Sequence, residues 1–178
     1  MADLICKQLV DLIERNADRL THDWLQDVKR RPETPTYHSY PDDQLYERVH
    51  DVYRNLGNWV CRETTVSDVA RVYTALGRQR FAEGFALSEV LEALILTRRH
   101  LWLLVLREGF LDTALLLQQA LDLNARAVLF FDRSMYFAAV GFEQAQAEAN
   151  RAPTAALAQE LVRPRRLSRK PRRETPGK

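Results

Sequence analysis

Apolar residues in the first thirty positions recur at three- and four-residue steps: Ile5, Leu9, Leu12, Ile13, Leu20, Trp24 and Val28. That spacing gathers them on one face of a helix spanning 3–30. A polar link over 31–41 carries three prolines. The next pattern, 42–62, turns Leu45, Val49, Val52, Tyr53, Leu56 and Trp59 inward, and a third, 66–83, does the same with Val69, Val72, Tyr73 and Leu76. Gly84 follows where a left-handed residue would close that helix. The fourth pattern, 88–107, is apolar nearly all round and predicts the most buried helix, with Ser88 at its cap and Gly109 at its end. From Asp112 one helical pattern continues to about Arg151. At about 1.5 Å per residue it would reach about 58 Å, roughly twice the fourth helix. Such a helix either breaks near Gly141 or extends past the body and finds a partner. After Pro153, Thr154–Val162 predicts a short helix, and 163–178 reads as disordered.

No proline falls between Asp42 and Ala152. Proline lacks an N–H and clashes with the preceding turn, so its exclusion agrees with a helical body. No alternating strand pattern and no internal repeat is visible. The expected class is all-α: an up-down helical bundle of four to five helices with a long C-terminal helix, or, with steeper crossings, globin-like packing. The pattern does not separate the two. The expected division is 1–152 for a sensory or regulatory body and 153–178 for a short helix and basic tail.

Composition narrows the class. With 46% hydrophobic and 28% charged residues in 178, the chain reads as one soluble globular domain. Its longest apolar run, Leu94–Leu106, is interrupted by Arg98, Arg99 and His100, so no membrane span is expected. Asp3 and Lys7 among the first apolar residues argue against a signal peptide. Two cysteines, Cys6 and Cys61, fit a reducing cytoplasm, with idle thiols a simpler expectation than a disulfide. The net charge of +2 is divided unevenly. Residues 163–178 hold eight Lys/Arg against one acid, a balance of +7, which leaves −5 on the rest. Any attraction to nucleic acid or acidic surfaces therefore belongs to the tail.

Catalytic chemistry finds little support. His22, His38, His50 and His100 show no metal-ligand spacing, and neither cysteine has a histidine neighbour in sequence. No phosphate-binding glycine loop or nucleophile elbow occurs. Neither an enzyme nor a cofactor is expected. His100, in the fourth helix, is read as a structural histidine rather than a haem ligand.

Charges on apolar stripes are the sharper signal. Arg98 interrupts Leu91, Leu94, Leu101 and Val105; Arg80 ends the series Val69, Tyr73, Leu76; Asp132 sits among Leu121, Asn124, Val128, Met135, Ala139 and Phe142. An unpaired buried charge costs several kcal/mol, so such groups need partners or water. The simplest arrangement pairs Asp132 with Arg98 or Arg80, with Glu83 and Glu92 as further acceptors. A structural cluster, a cavity awaiting an anionic ligand or a partner's carboxylate, and arginines reaching out past the bundle edge all remain open. The aromatics Trp24, Trp59, Trp102, Phe130, Phe131 and Tyr136 have helical spacing and read as core.

The segments LGRQRFAEGF (76–85) and LSEVLEALILTRRHLW (87–102) together resemble the N-terminal domain of the RsbRD proteins, the RsbT co-antagonist family. FFDRSMYFAAVGFE (130–143) is similar to the last helix of that domain as it occurs in bacterial sensor kinases, and Trp24 in DWLQDVKRR is in the matching place. The likeness covers roughly 5–145. It implies a non-catalytic, all-helical input domain of bacterial signal transduction, with a kinase or STAS protein as output partner. The long last helix suits a homodimer, and Arg80, Arg98 and Asp132 are the expected switch residues, open to a small ligand. This chain departs from the pattern in having a proline and a basic tail where an output module would follow, so a free-standing regulator and a fragment are both open. The alternative from another class is a nucleic-acid or acidic-surface binder acting through its tail.

Overall fold

The computed structural model describes the backbone of residues 2–60, 65–108 and 113–162, and the side chains of 7–60, 65–108 and 113–151. The expectations for Cys6 and Cys61, the helix end at Gly109, the helix start at Asp112 and the basic tail lie outside the described side chains or residues. Within the described residues the regular structure is entirely helical, as the periodicity predicts: α1 Ala2–Arg15, α2 Ala17–Val28, α3 Pro35–Ser39, α4 Asp42–Arg54, α5 Leu56–Val60, α6 Val66–Ala82, α7 Leu87–Arg107 and α8 Ala114–Val162.

Two expected helices are each divided, both at an asparagine. The first pattern breaks at Asn16, whose Nδ2 donates to the Leu12 carbonyl at 2.8 Å. The second breaks at Asn55, whose Nδ2 donates to Asp51 O at 3.1 Å and Asp51 Oδ1 at 2.7 Å. A short amide folding back on the carbonyl four residues earlier competes with the helical ladder, and apolar periodicity carries no trace of it. The polar link holds α3, with Pro35 in its first turn and Tyr37 buried.

Helix α6 begins with a capping box, Thr65 accepting from the Asp68 N–H and Asp68 from the Thr65 N–H. It ends as expected at Gly84, whose φ is +83°. Gly84 N–H donates to Phe81 O and Phe85 N–H to Arg80 O, both at 3.1 Å, a Schellman closure that aims Phe85 back under the helix end. At α7 the cap position is Ala86 rather than Ser88. Glu89, 3% exposed, accepts from the Ala86 N–H at 2.9 Å and from the Thr36 N–H of α3 at 2.7 Å. One buried carboxylate thus serves two helix starts.

Helix α8 runs unbroken past both Gly141 and Pro153. Chain contacts define two compact units, Met1–Gln146 and Ala147–Lys178, and the division falls inside this helix. In the first unit α2 packs against α4 and α7, and α1 against α4, α5 and α7. The core face of α8 is Ala120, Leu123, Ala127, Phe130, Phe131, Ser134, Ala138 and Phe142. It lies to one side of the expected stripe through Leu121, Val128 and Asp132. The reason is close approach. A Cβ on Gly77 would stand 1.9 Å from the Ala138 carbonyl oxygen, and one on Gly141 2.0 Å from the Thr74 carbonyl oxygen. Helices α6 and α8 therefore meet backbone to backbone around Gly77, Ala138 and Gly141, where only small residues fit, while Leu123, Phe130, Phe131 and Phe142 fill the rest of the buried face.

Candidate functional site

The largely apolar core of the first unit contains a partly enclosed chamber bounded by α2, α3, α4, α6 and α7. The centre of a water-sized sphere can move through about 60 Å³ of it. Leu45, Val49 and Val52 of α4 face Val90, Ala93 and Leu94 of α7 across it, with Trp24, Tyr37 and Tyr73 as aromatic walls. Two wall groups are already satisfied. Trp24 Nε1 donates to the Ala93 carbonyl at 3.0 Å and Thr97 Oγ1 to the same oxygen at 2.8 Å. Burial pushes the Tyr37 and Tyr73 phenols up to about 12, so both stay protonated at neutral pH.

Arg48 and Arg80 supply the remaining polar wall. Arg80 is 6% exposed, and its Nη1 donates to Glu83 Oε2 at 2.7 Å. Arg48 reaches the same carboxylate with both terminal nitrogens, at 3.0 and 2.8 Å, and gives Nη2 to the Tyr40 hydroxyl at 3.3 Å. Gln79 Nε2 adds a bond to Glu83 Oε1 at 2.8 Å. Burial alone would raise the Glu83 pKa; the bonds from Arg48, Arg80 and Gln79 outweigh it and hold the group at about 2. Two guanidiniums thus share one carboxylate. Phe85, turned inward by the closure of α6, lies under the Arg80 guanidinium at 5.5 Å and against Tyr37 at 4.6 Å.

The three expected switch residues fall in two places. Arg80 lines the chamber. Arg98 instead pairs with Asp132 at 2.9 Å, joining α7 to α8 with side chains 31% and 57% exposed. Glu83 is an acceptor for Arg80 as expected, whereas Glu92 pairs with Arg31 at 3.4 Å. Arg48 and Tyr37 were not singled out by the sequence: the first follows Leu45 on a stripe-adjacent position, the second sits in a link read as polar. His100 faces a separate, polar surface depression and bonds Asp27 Oδ2 through Nε2 at 3.1 Å. Burial lowers its pKa against the opposing pull of Asp27. Among the described residues no group of three or more His, Cys, Asp and Glu is arranged to hold a metal ion, and no helix is long and apolar enough to cross a membrane.

Residues 18–157 match the family model described as the RsbT co-antagonist protein rsbRD N-terminal domain. No curated protein sequence matches the chain. Among solved structures, the globin domain of E. coli DosC in its ferrous form is similar, with a TM-score of 0.60 and 13% identity, over 75% of this chain and 87% of that one. Of the two packings left open by the hydrophobic pattern, the globin-like one is the one this likeness supports. A globin fold raises the question of haem. Among the described residues the chamber wall contains no histidine, cysteine or methionine to stand as an axial ligand. The free space is also far below the several hundred Å³ typical of cofactor-sized sites. The described residues of this chamber do not fit haem.

Proposed function

Because the chain belongs to the RsbT co-antagonist protein rsbRD N-terminal domain family, we propose that it is a non-catalytic sensory or regulatory input domain of bacterial signal transduction. In this reading it works as a homodimer and acts on a kinase or STAS-domain partner. The observation that carries the reading is the double role of α6. Tyr73, Leu76 and Arg80 wall the chamber, and the adjoining Thr74 and Gly77 rest on Gly141 and Ala138 of α8 with no side chain between. A change of volume or charge in the chamber displaces α6, and a close-packed contact passes that displacement on because it has no slack. The Arg98–Asp132 pair gives α7 its own link to α8 at the half-exposed edge. Dimer formation uses the outer face of α8, where Leu115, Leu121, Leu129 and Tyr136 are exposed.

The test is made on the partner. A kinase or STAS-domain protein encoded beside this chain is produced with it, and the partner's output is measured with the native chain and with Val52→Phe, which narrows the chamber from a half-buried position. A several-fold change in output with helical content preserved supports the reading. Unchanged output in a folded, chamber-filled variant overturns it. Light scattering across a concentration series tests the dimer, and Leu121→Glu with Leu129→Glu should shift the mass to that of one chain.

A further inference from the structure

Among the described residues the chamber wall carries two cations, Arg48 and Arg80, and no carboxylate. Trp24 and Thr97 are committed to the Ala93 carbonyl. The Tyr37 and Tyr73 hydroxyls keep their protons. Arg48 spends its two ends on Glu83, and its Nη2 also reaches Tyr40. Arg80 is different: a guanidinium has five N–H groups, and its bond to Glu83 and its approach to the Tyr37 hydroxyl leave others over. The other buried carboxylate nearby, Glu89, is turned to the Thr36 and Ala86 amides and does not line the chamber. The rest of the surface is aliphatic or aromatic, and two cations there share a single anion, Glu83.

We propose that this chamber binds a small aliphatic monocarboxylate, its hydrocarbon part among Leu45, Val49, Val52 and Leu94 and its carboxylate against Arg80. The available space suits a chain of roughly four to six carbons, since the free volume of about 60 Å³ is several times the ~10–15 Å³ that a single water requires in the same measure. A carboxylate matches the planar fork of a guanidinium. An alcohol of equal length would fill the same apolar volume without the charge-assisted bond. A phosphate would satisfy the arginine and leave the apolar wall uncovered. The assignment names the ligand class for the input site of the signalling reading and rests on that reading for its biological sense.

The experiment uses the purified full chain, with hexanoate, hexanol and inorganic phosphate as probes, followed by protein NMR shifts and by thermal denaturation. Hexanoate should saturate, move resonances of the chamber residues and raise the unfolding temperature with concentration. Hexanol should bind at least tenfold more weakly, and phosphate should leave the chamber resonances in place. In Arg80→Met the difference between hexanoate and hexanol should vanish, while Glu83 keeps its two bonds from Arg48. In Val52→Phe both should lose affinity at least tenfold. Equal affinity for acid and alcohol in the native chain overturns the proposal, as does undiminished hexanoate binding in either variant or saturation by phosphate at the chamber. Absence of hexanoate binding alongside an altered partner output in Val52→Phe would sink the ligand class and leave the signalling reading standing. Specific binding with no effect on output would do the reverse.

Discussion

Arg80 and Arg98 both occupy inward-reading positions of apolar helices, yet they end in opposite surroundings. Arg80 is buried, shares Glu83 with Arg48 and forms part of a chamber wall; Arg98 lies at a half-exposed edge against the still more exposed Asp132. The difference comes from the helices that carry them. Helix α6 has one buried line, Val69, Tyr73, Gly77 and Arg80, so an arginine in step with it has nowhere else to go. Helix α7 buries a broad arc of its surface that ends at Leu94 and Val105, and Arg98 stands just past that edge, where its head reaches water. A charge on a stripe therefore marks a site only where the stripe is narrow.

The largest effect that would break this contrast is expected from Glu83→Gln. Replacing the carboxylate by a neutral amide leaves two guanidiniums without their common counter-charge, at a cost of about 3 kcal/mol in urea unfolding. A loss under about 1 kcal/mol would mean that the Arg80 cluster is no more buried in effect than the Arg98 pair. Acid titration sharpens the point. Glu83 falls from an ordinary 4.5 to about 2 on folding, so the unfolded chain takes up the proton first. The stability from this group is complete above pH 4.5 and disappears as the pH falls through about 2, a total on the order of 3 kcal/mol. Glu83→Gln should flatten the unfolding profile in that window, and a profile identical to that of the native chain would refute the assignment. The smallest effect belongs to Arg98→Met, which should change stability by less than about 1 kcal/mol because its ion pair is open to solvent. A larger loss, measured under the same conditions, would make the two arginines alike after all.

The helical class, the closure at Gly84 and the inward direction of Arg80 were legible in the sequence because each follows from short-range spacing or a single backbone requirement. The divisions at Asn16 and Asn55 were not, since an asparagine inside an amphipathic pattern leaves the apolar period intact. The core face of α8 misled for a different reason. That helix is rich in apolar residues on several sides, and which side is buried is fixed in part by the close approach at Ala138 and Gly141, which apolar spacing does not record. The chamber itself was out of reach, because Tyr37, Arg48 and Glu83 come from three separate segments that converge only in the folded core.

The carboxylate of Glu89 has a consequence for how anything reaches the chamber. By holding the Thr36 amide and the Ala86 amide together, it latches the segment carrying Tyr37 to the first turn of α7. That segment cannot swing aside as a door without uncapping a long buried helix.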